Sequence, residues 1–212
     1  MTIFKDRIDA AMQLAKKLED YKNKDAIILA IPRGGVPVGY IMAQELGLPM
    51  EIVLSKKIGH PRNPEYAIGS VSLQGAIINE NVLDVSLDYY RKEADRILEG
   101  LKEKFKLFMG NRKPTELKDK IVIIVDDGVA TGSTILATVE AIKKSKPKKI
   151  VLAVPVAPPT TALKLDKEVD ELVCLLTPLG FQGVGQFYQY FSQVSDEEVI
   201  QLLQHVKKNE IV

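Results

Sequence analysis

The sequence predicts an α/β protein: a central, mainly parallel sheet flanked by helices, with a small hood or lid subdomain. Three observations predict it. Short, continuous apolar runs recur at 26–31, 121–125, 150–154 and 172–176, with a further strand candidate at 51–55. Segments with helical spacing alternate with them. Several runs stop at glycine-rich or acidic loops, as strands do at the mouth of an open sheet.

The elements follow in order. Residues 6–19 carry Ile8, Ala11, Met12, Ala15 and Leu18 at helical spacing. The run 26–31 has no polar alternation, as expected of a strand buried on both faces. It stops at Pro32-Arg33-Gly34-Gly35, a turn signal. A helix over about 38–46 ends at Gly47, and 51–55 is a second strand. Residues 59–69, with His60-Pro61-Arg62-Asn63-Pro64-Glu65, read as a loop. Runs at 68–73 and 76–78 flank Gln74-Gly75 as a hairpin. Leu87, Tyr90, Ala94, Ile97, Leu101, Phe105 and Phe108 mark one face of a long helix. Strands at 121–125, 150–154 and 172–176 complete the sheet. Ser195-Asp196-Glu197-Glu198 opens a last helix as a capping box, with Val199, Leu202, Leu203 and Val206 inward. The hairpin and the segment after Leu176 break the alternation, which marks them as lid or hood. The expected organisation is a single domain over 1–212, a hood from 177–195 with the N-terminus, and a flexible loop at 58–69.

Composition narrows the function. The chain has 212 residues, 46% hydrophobic and 27% charged, enough for one good-sized core. Its 29 basic and 28 acidic residues leave a net charge of +1, so no global field draws in nucleic acid or a membrane. The densest basic cluster, Lys143, Lys144, Lys146, Lys148 and Lys149, reads as a solvated helix end. The single cysteine, Cys174, lies in an apolar run and reads as a buried, inert thiol. No apolar run approaches the roughly 20 residues of a membrane span. The N-terminus lacks the apolar stretch of a signal peptide. The expected compartment is the cytoplasm.

Two strand ends carry chemistry. The run 121–125 is followed by Asp126-Asp127 and then Gly128-Val129-Ala130-Thr131-Gly132-Ser133-Thr134, where a helix begins. Small residues let the backbone close around an anion, and amides at a helix N-terminus bind phosphate. Thr131, Ser133 and Thr134 add hydroxyls. Adjacent carboxylates at a strand end are costly unless cations or hydroxyl donors satisfy them, as a ribose diol with a divalent ion would. No lysine follows Gly132, so this is not a triphosphate loop, and the dinucleotide fingerprint is absent. At the other strand end, Arg33 offers a planar donor fork to phosphate oxygens. Gly34 and Gly35 permit positive φ and close backbone approach. Lys56 and Lys57, after the second strand, read either as a surface pair or as cations reaching across the mouth.

The stretch 123–134 resembles the signature of type I phosphoribosyltransferases, which bind 5-phosphoribosyl 1-pyrophosphate. The resemblance covers most of the chain. It is closest to a poorly characterised branch of predicted phosphoribosyltransferases, suggested by 63–69 and 184–188. It implies that Asp126 and Asp127 meet the ribose hydroxyls and a magnesium ion, and that the loop from Gly128 to Thr134 holds the donor, with Ala130 to Thr134 on its 5-phosphate. It implies a pyrophosphate loop at Arg33, Gly34 and Gly35, with a non-proline cis peptide expected at Arg33–Gly34. It favours Lys57 as the cation across the mouth, and makes the loop with Arg62 a mobile cover whose arginine clamps the leaving group. The implied reaction moves phosphoribose to or from a nucleobase-like acceptor, and many relatives are homodimers.

The acceptor is not written in the motifs. Phe181, Phe187 and Tyr188 either stack on a planar base or pin their loop to the core. Two other functions stay open: a non-catalytic regulatory protein that binds the same donor, and hydrolysis or another reaction of a phosphorylated sugar.

Overall fold

The computed structural model describes residues 4–79, 82 and 84–209; the predicted N-terminal contribution of residues 1–3 to the hood lies outside these. Its main sheet contains β1 (Ala26–Ala30), β2 (Met50–Ile52), β6 (Ile121–Val125), β7 (Lys149–Val156) and β8 (Glu171–Leu176) in the order β2-β1-β6-β7-β8. All four pairings are parallel. A smaller antiparallel sheet holds β3 (Ser55–His60), β4 (Asn63–Ser72) and β5 (Gly75–Ile78).

Strand periodicity divides the core in two. Ile28, Ala30, Ile123, Val125, Val151 and Ala153 face one layer. That layer is built from α1 (Arg7–Lys17), α2 (Gly35–Leu46), α3 (Leu87–Met109) and α6 (Asp196–Asn209). The intervening residues Ile27, Leu29, Val122, Ile124, Ile150, Leu152 and Val154 face the other layer, with α4 (Ser133–Lys143) and α5 (Pro159–Asp166). A parallel strand covered on both faces needs such an unbroken apolar run.

The helix ends obey local chemistry. Asp6 accepts the Asp9 N–H at the start of α1. Ser86 caps α3 by accepting the Tyr89 N–H, and Ser195 accepts the Glu198 N–H at 3.2 Å, one half of the expected capping box. Helix α2 starts at Gly35, three residues earlier than its apolar spacing suggests, and ends on Gly47 in the left-handed region.

Three segments differ from the sequence reading. The stretch 51–55 divides, with β2 ending at Ile52 and Ser55 opening β3. The expected loop at 59–69 is a strand, a turn at Pro61-Arg62 and a second strand. The hairpin packs on both α4 and α3, but its contacts to α4 are polar, Ser55 with Thr138 and Ser70 with Glu140, so its sequence lacks a continuous apolar run. Helix α5 went unrecognised: it has two turns and opens on a proline at its first position. Among the described residues, no helix is long and apolar enough to cross a membrane.

The segment after β8 packs against the start of the chain. Phe4 donates its N–H to the Phe187 carbonyl at 3.0 Å, and Gln189 and Tyr190 donate to the Phe4 and Lys5 carbonyls at 2.9 Å. Phe4, Ala10, Val156, Phe187 and Tyr188 form a small core there.

At the opposite end of the sheet, Lys149 Nζ donates to Tyr21 Oη at 2.6 Å and to Glu171 Oε2 at 2.7 Å, and Tyr21 donates to the same carboxylate. The Lys149 ammonium and the Tyr21 hydroxyl hold the Glu171 carboxyl below its ordinary range, and Glu171 pushes the Lys149 ammonium up. A lowered carboxyl stabilises the fold above about pH 4.3, and that stability is lost as pH falls through the folded value. A raised ammonium stabilises below about pH 10.4 and loses this as pH rises through the folded value. Both side chains are about a third exposed, so water screens the pair. Glu171→Gln is expected to cost at most about 1 kcal/mol at neutral pH, about 2–4 °C in Tm. In melting curves across pH, the gap from the parent protein should close in acid and again above pH 10; a constant gap contradicts the assignment.

Candidate active site

Two loops leave adjacent strands at the same level, because β1 and β6 pair with Ala30 opposite Val125. The first runs from Ile31 into α2, and the second from Asp126 into α4. They touch. A Cβ added to Gly34 would lie 2.0 Å from Asp127 Oδ2, and one on Gly35 would lie 2.7 Å from the Val125 carbonyl oxygen. Gly34 has φ −60, an ordinary helical value, so close approach rather than backbone handedness requires the glycine. The non-proline cis peptide lies between Pro32 and Arg33, one bond before the expected Arg33–Gly34. Arg33 is half-buried at the rim, with Nη1 3.5 Å from Asp196 Oδ1 at the start of α6.

The acidic pair sits where the second loop begins. Asp126 Oδ1 accepts the Asp127 N–H at 2.9 Å. Burial pushes the Asp126 carboxyl well above its usual range, and the Asp127 charge adds to this. Burial also raises Asp127, while the Arg7 guanidinium pulls it back. Arg7 Nε and Nη2 each lie 2.8 Å from Asp127 Oδ2, with the two side chains only 11% and 14% exposed. Arg7 Nη1 donates to the Ser192 carbonyl at 2.8 Å, and its guanidinium lies 3.9 Å from the Phe191 ring centroid. Tyr188 Oη donates to the Asp127 carbonyl at 2.6 Å.

Beyond the pair, the second loop anchors itself and then opens. Gly128 and Val129 are buried, and the Val129 N–H is committed to the Val156 carbonyl at 2.8 Å. The Ala130 carbonyl accepts the Thr161 hydroxyl at 2.8 Å. Gly132 caps α4 with φ 77, which a side chain rarely adopts. Among the described residues, the N–H groups of Ala130, Thr131, Gly132 and Thr134 meet no protein acceptor, and that of Ser133 faces only the Thr131 hydroxyl at 3.5 Å. Thr131, Ser133 and Thr134 are exposed. The loop thus presents a turn of free amides and three hydroxyls.

Other residues singled out from the sequence lie around this centre. Lys57 lines a cleft of about 660 Å³ between the small sheet and α4, together with Ser70, Ser133 and Glu140. Lys56 projects from the opposite face of β3 and lines a cleft of about 400 Å³ with Pro32, Thr134, Arg96 and Lys104. Lys56 is therefore the lysine that shares a cleft with both loops. Arg62 is exposed at the hairpin turn, 3.5 Å from Asp84 Oδ2, and His60 Nε2 lies 3.2 Å from the same oxygen. Phe187 and Tyr188 are buried. Phe181 stacks on Phe187 and Tyr188 on Phe191, so these rings pin their segment. Burial raises the Cys174 thiol. The basic cluster is divided: Lys143 pairs with Glu168, Lys144 reaches the Ala76 carbonyl, and Lys149 binds Glu171.

Sequence reasoning missed Arg7. One signal was available: a cation at the first position of a helix opposes the macrodipole, so it implies a tertiary partner.

Among the described residues no group of three or more His, Cys, Asp or Glu converges as a metal cage. Two adjacent carboxylates nonetheless fit a magnesium ion that takes its remaining ligands from substrate oxygens and water.

A family model described as "Phosphoribosyl transferase domain" matches residues 2–189. The crystal structure of TT1426 from Thermus thermophilus superposes with a TM-score of 0.89 at 33% identity, covering 96% of this chain and 99% of that one. The Mycobacterium tuberculosis H37Rv protein Rv0571c, whose name classes it among phosphoribosyl transferases, is 36% identical over 99% of this chain and 48% of its own length. The bifunctional protein PyrR of Alkaliphilus metalliredigens is 28% identical over 62% of this chain and 56% of its own length. The chain spans about half the length of the curated relatives it matches.

The raised Asp126 carboxyl has a consequence for stability. Its fold is most favourable below the ordinary carboxyl value of about 3.9, and that advantage is lost as pH rises through the folded value. Asp126→Asn keeps the oxygen that accepts the Asp127 N–H and removes the charge. It is expected to raise Tm by several degrees at pH 7 in the ligand-free protein, with the gain vanishing near pH 3. A lower Tm at pH 7 would contradict the electrostatics of the site.

Proposed function

The chain belongs to the phosphoribosyl transferase domain family, and on that premise we propose that it binds 5-phosphoribosyl 1-pyrophosphate and transfers phosphoribose to or from a nucleobase-like acceptor. One observation carries the reading: among the described residues, a turn of amides without a protein acceptor at the α4 N-terminus opens beside a half-buried carboxylate pair. The turn suits the 5-phosphate and the pair suits the ribose hydroxyls. Contact between Gly34 and Asp127 supports assigning the first loop to the sugar's 1-position, where pyrophosphate would depart.

The chain's own residues position and stabilise. The Ala130–Thr134 amides fix the tail of the sugar. Asp126 and Asp127 orient its diol and favour the cationic character that develops at the anomeric carbon. Arg33 and Lys56 stand at the rim to meet leaving-group oxygens. Asp126 and Asp127 would hold magnesium, which when bound neutralises charge on the pyrophosphate. The hood comprises 177–195 and the N-terminal segment, and closes the acceptor side. The proposal extends to a cytoplasmic homodimer.

The test is incubation with donor, magnesium and a panel of nucleobases. Pyrophosphate release dependent on one base supports transfer. Saturable donor binding without turnover would make the protein a sensor, and base-independent loss of donor would make it a hydrolase. Asp127→Asn is expected to weaken donor affinity about ten-fold or more, since a charge-assisted contact contributes about 1.5–3 kcal/mol. Titration calorimetry on the folded variant reads this, and unchanged affinity removes Asp127 from the site. Gly132→Val forces a branched side chain into the left-handed region inside the cradle and should abolish donor binding; normal binding would refute the loop geometry.

A further inference from the structure

Arg7 has no place in the transfer chemistry above, yet it is the most heavily engaged cation beside the site. Both Nε and Nη2 rest on Asp127 Oδ2, Nη1 holds the Ser192 carbonyl, and Phe191 covers the guanidinium face. Gly34 crowds both carboxylate oxygens, Oδ2 most closely, and Arg7 holds Oδ2, so Oδ1 is the oxygen that Arg7 leaves to a ligand. A divalent ion arriving at that oxygen would meet a guanidinium one carboxylate away. Two like charges so close, in a site this buried, repel strongly.

We propose that Arg7 is a displaceable internal cation: it neutralises Asp127 in the ligand-free protein, and the donor with its divalent ion binds by driving it off. The inference rests on the reading that Asp127 takes a ribose-bound cation. Arg7 then couples the site to the hood, because the same guanidinium holds the segment at Phe191 and Ser192. Tyr188 keeps its bond to the Asp127 main chain. Displacement therefore loosens one side of the hood and leaves the other attached. In such a competition the apparent affinity scales with the fraction of molecules in which Arg7 has let go.

Calorimetric titrations of the parent, Arg7→Gln and Phe191→Leu proteins test this, with Mn2+ alone and with 5-phosphoribosyl 1-pyrophosphate plus Mg2+ as probes. If about a tenth of parent molecules have Arg7 released, Arg7→Gln should bind both probes about ten-fold tighter. Its Tm should be lower without ligand and rise further on saturation than the parent's. Phe191→Leu, which removes the ring over the guanidinium together with its stack on Tyr188, should bind a few-fold tighter. Equal or weaker binding by Arg7→Gln overturns the proposal and makes Arg7 a fixed support or a direct ligand contact. Should Arg7→Gln fail to fold, Phe191→Leu decides, and affinity no higher than the parent's overturns it. A parent protein that binds no donor refutes the donor site itself and leaves the Mn2+ arm to judge Arg7.

Discussion

The arrangement turns on the solvation of one carboxylate. Asp127 lies 14% exposed beside a second acid, and removing a carboxylate from water costs several kcal/mol unless other groups replace the water. Arg7, from the first helix, replaces that water with two charged donors to Oδ2, while Gly34, from the loop after β1, packs on the carboxylate and Tyr188, from beyond the last strand, bonds the Asp127 main-chain carbonyl. Neither the Arg7 guanidinium nor the Tyr188 hydroxyl has a local reason to be there. Each is held by helices and strands that must already be packed. The acidic pair is thus a point on which nearly the whole chain converges, and its electrostatics report on the integrity of the fold.

The sheet makes this convergence possible. β6 lies at the centre, with β1 on one side and β7 on the other. Its register with β1 sets both loops level, so a residue after one strand can touch a residue after the other. Every second side chain of the strands enters one apolar layer and the rest enter the other. Such strands have little freedom to slip, because a one-residue shift exchanges the residues of the two layers. The geometry that an anion cradle needs is therefore inherited from apolar packing well below it. Within the loop, the Val129 amide and the Ala130 carbonyl are tied to the protein, and the amides that follow meet no acceptor among the described residues.

The sequence made the parts of the site that are local in the chain legible. β6 was located to its end residues, and the loop after it announces itself through residue type alone: two carboxylates, three small residues and three hydroxyls. The hairpin at 55–72 was harder. Lys56, Lys57, Gly59, His60, Asn63 and Pro64 present no apolar alternation, since the strand is specified by pairing and by polar contacts to α4 as well as by apolar packing on α3. Arg7 is the opposite case. Its partners lie 120 and 185 residues away, a separation at which no pattern within the chain speaks. The rings of Phe187 and Tyr188 left two readings open, and the contacts they make with each other's neighbours show that they hold the segment to the N-terminus.

The segment after β8 is tied to the start of the chain in two different ways. Three backbone hydrogen bonds join Phe4 and Lys5 to residues 187–190, with the Phe4, Phe187 and Tyr188 rings packed beneath. None of these involves a charge, so nothing that happens to the acidic pair acts on them directly. The second attachment is ionic and runs from Asp127 through Arg7 to Ser192 and Phe191. On the proposed displacement, a change in what Asp127 binds acts first on this attachment, while Tyr188 keeps its bond to the Asp127 carbonyl. The segment would then shift at its Ser192 side while the pairing with the N-terminus stays closed.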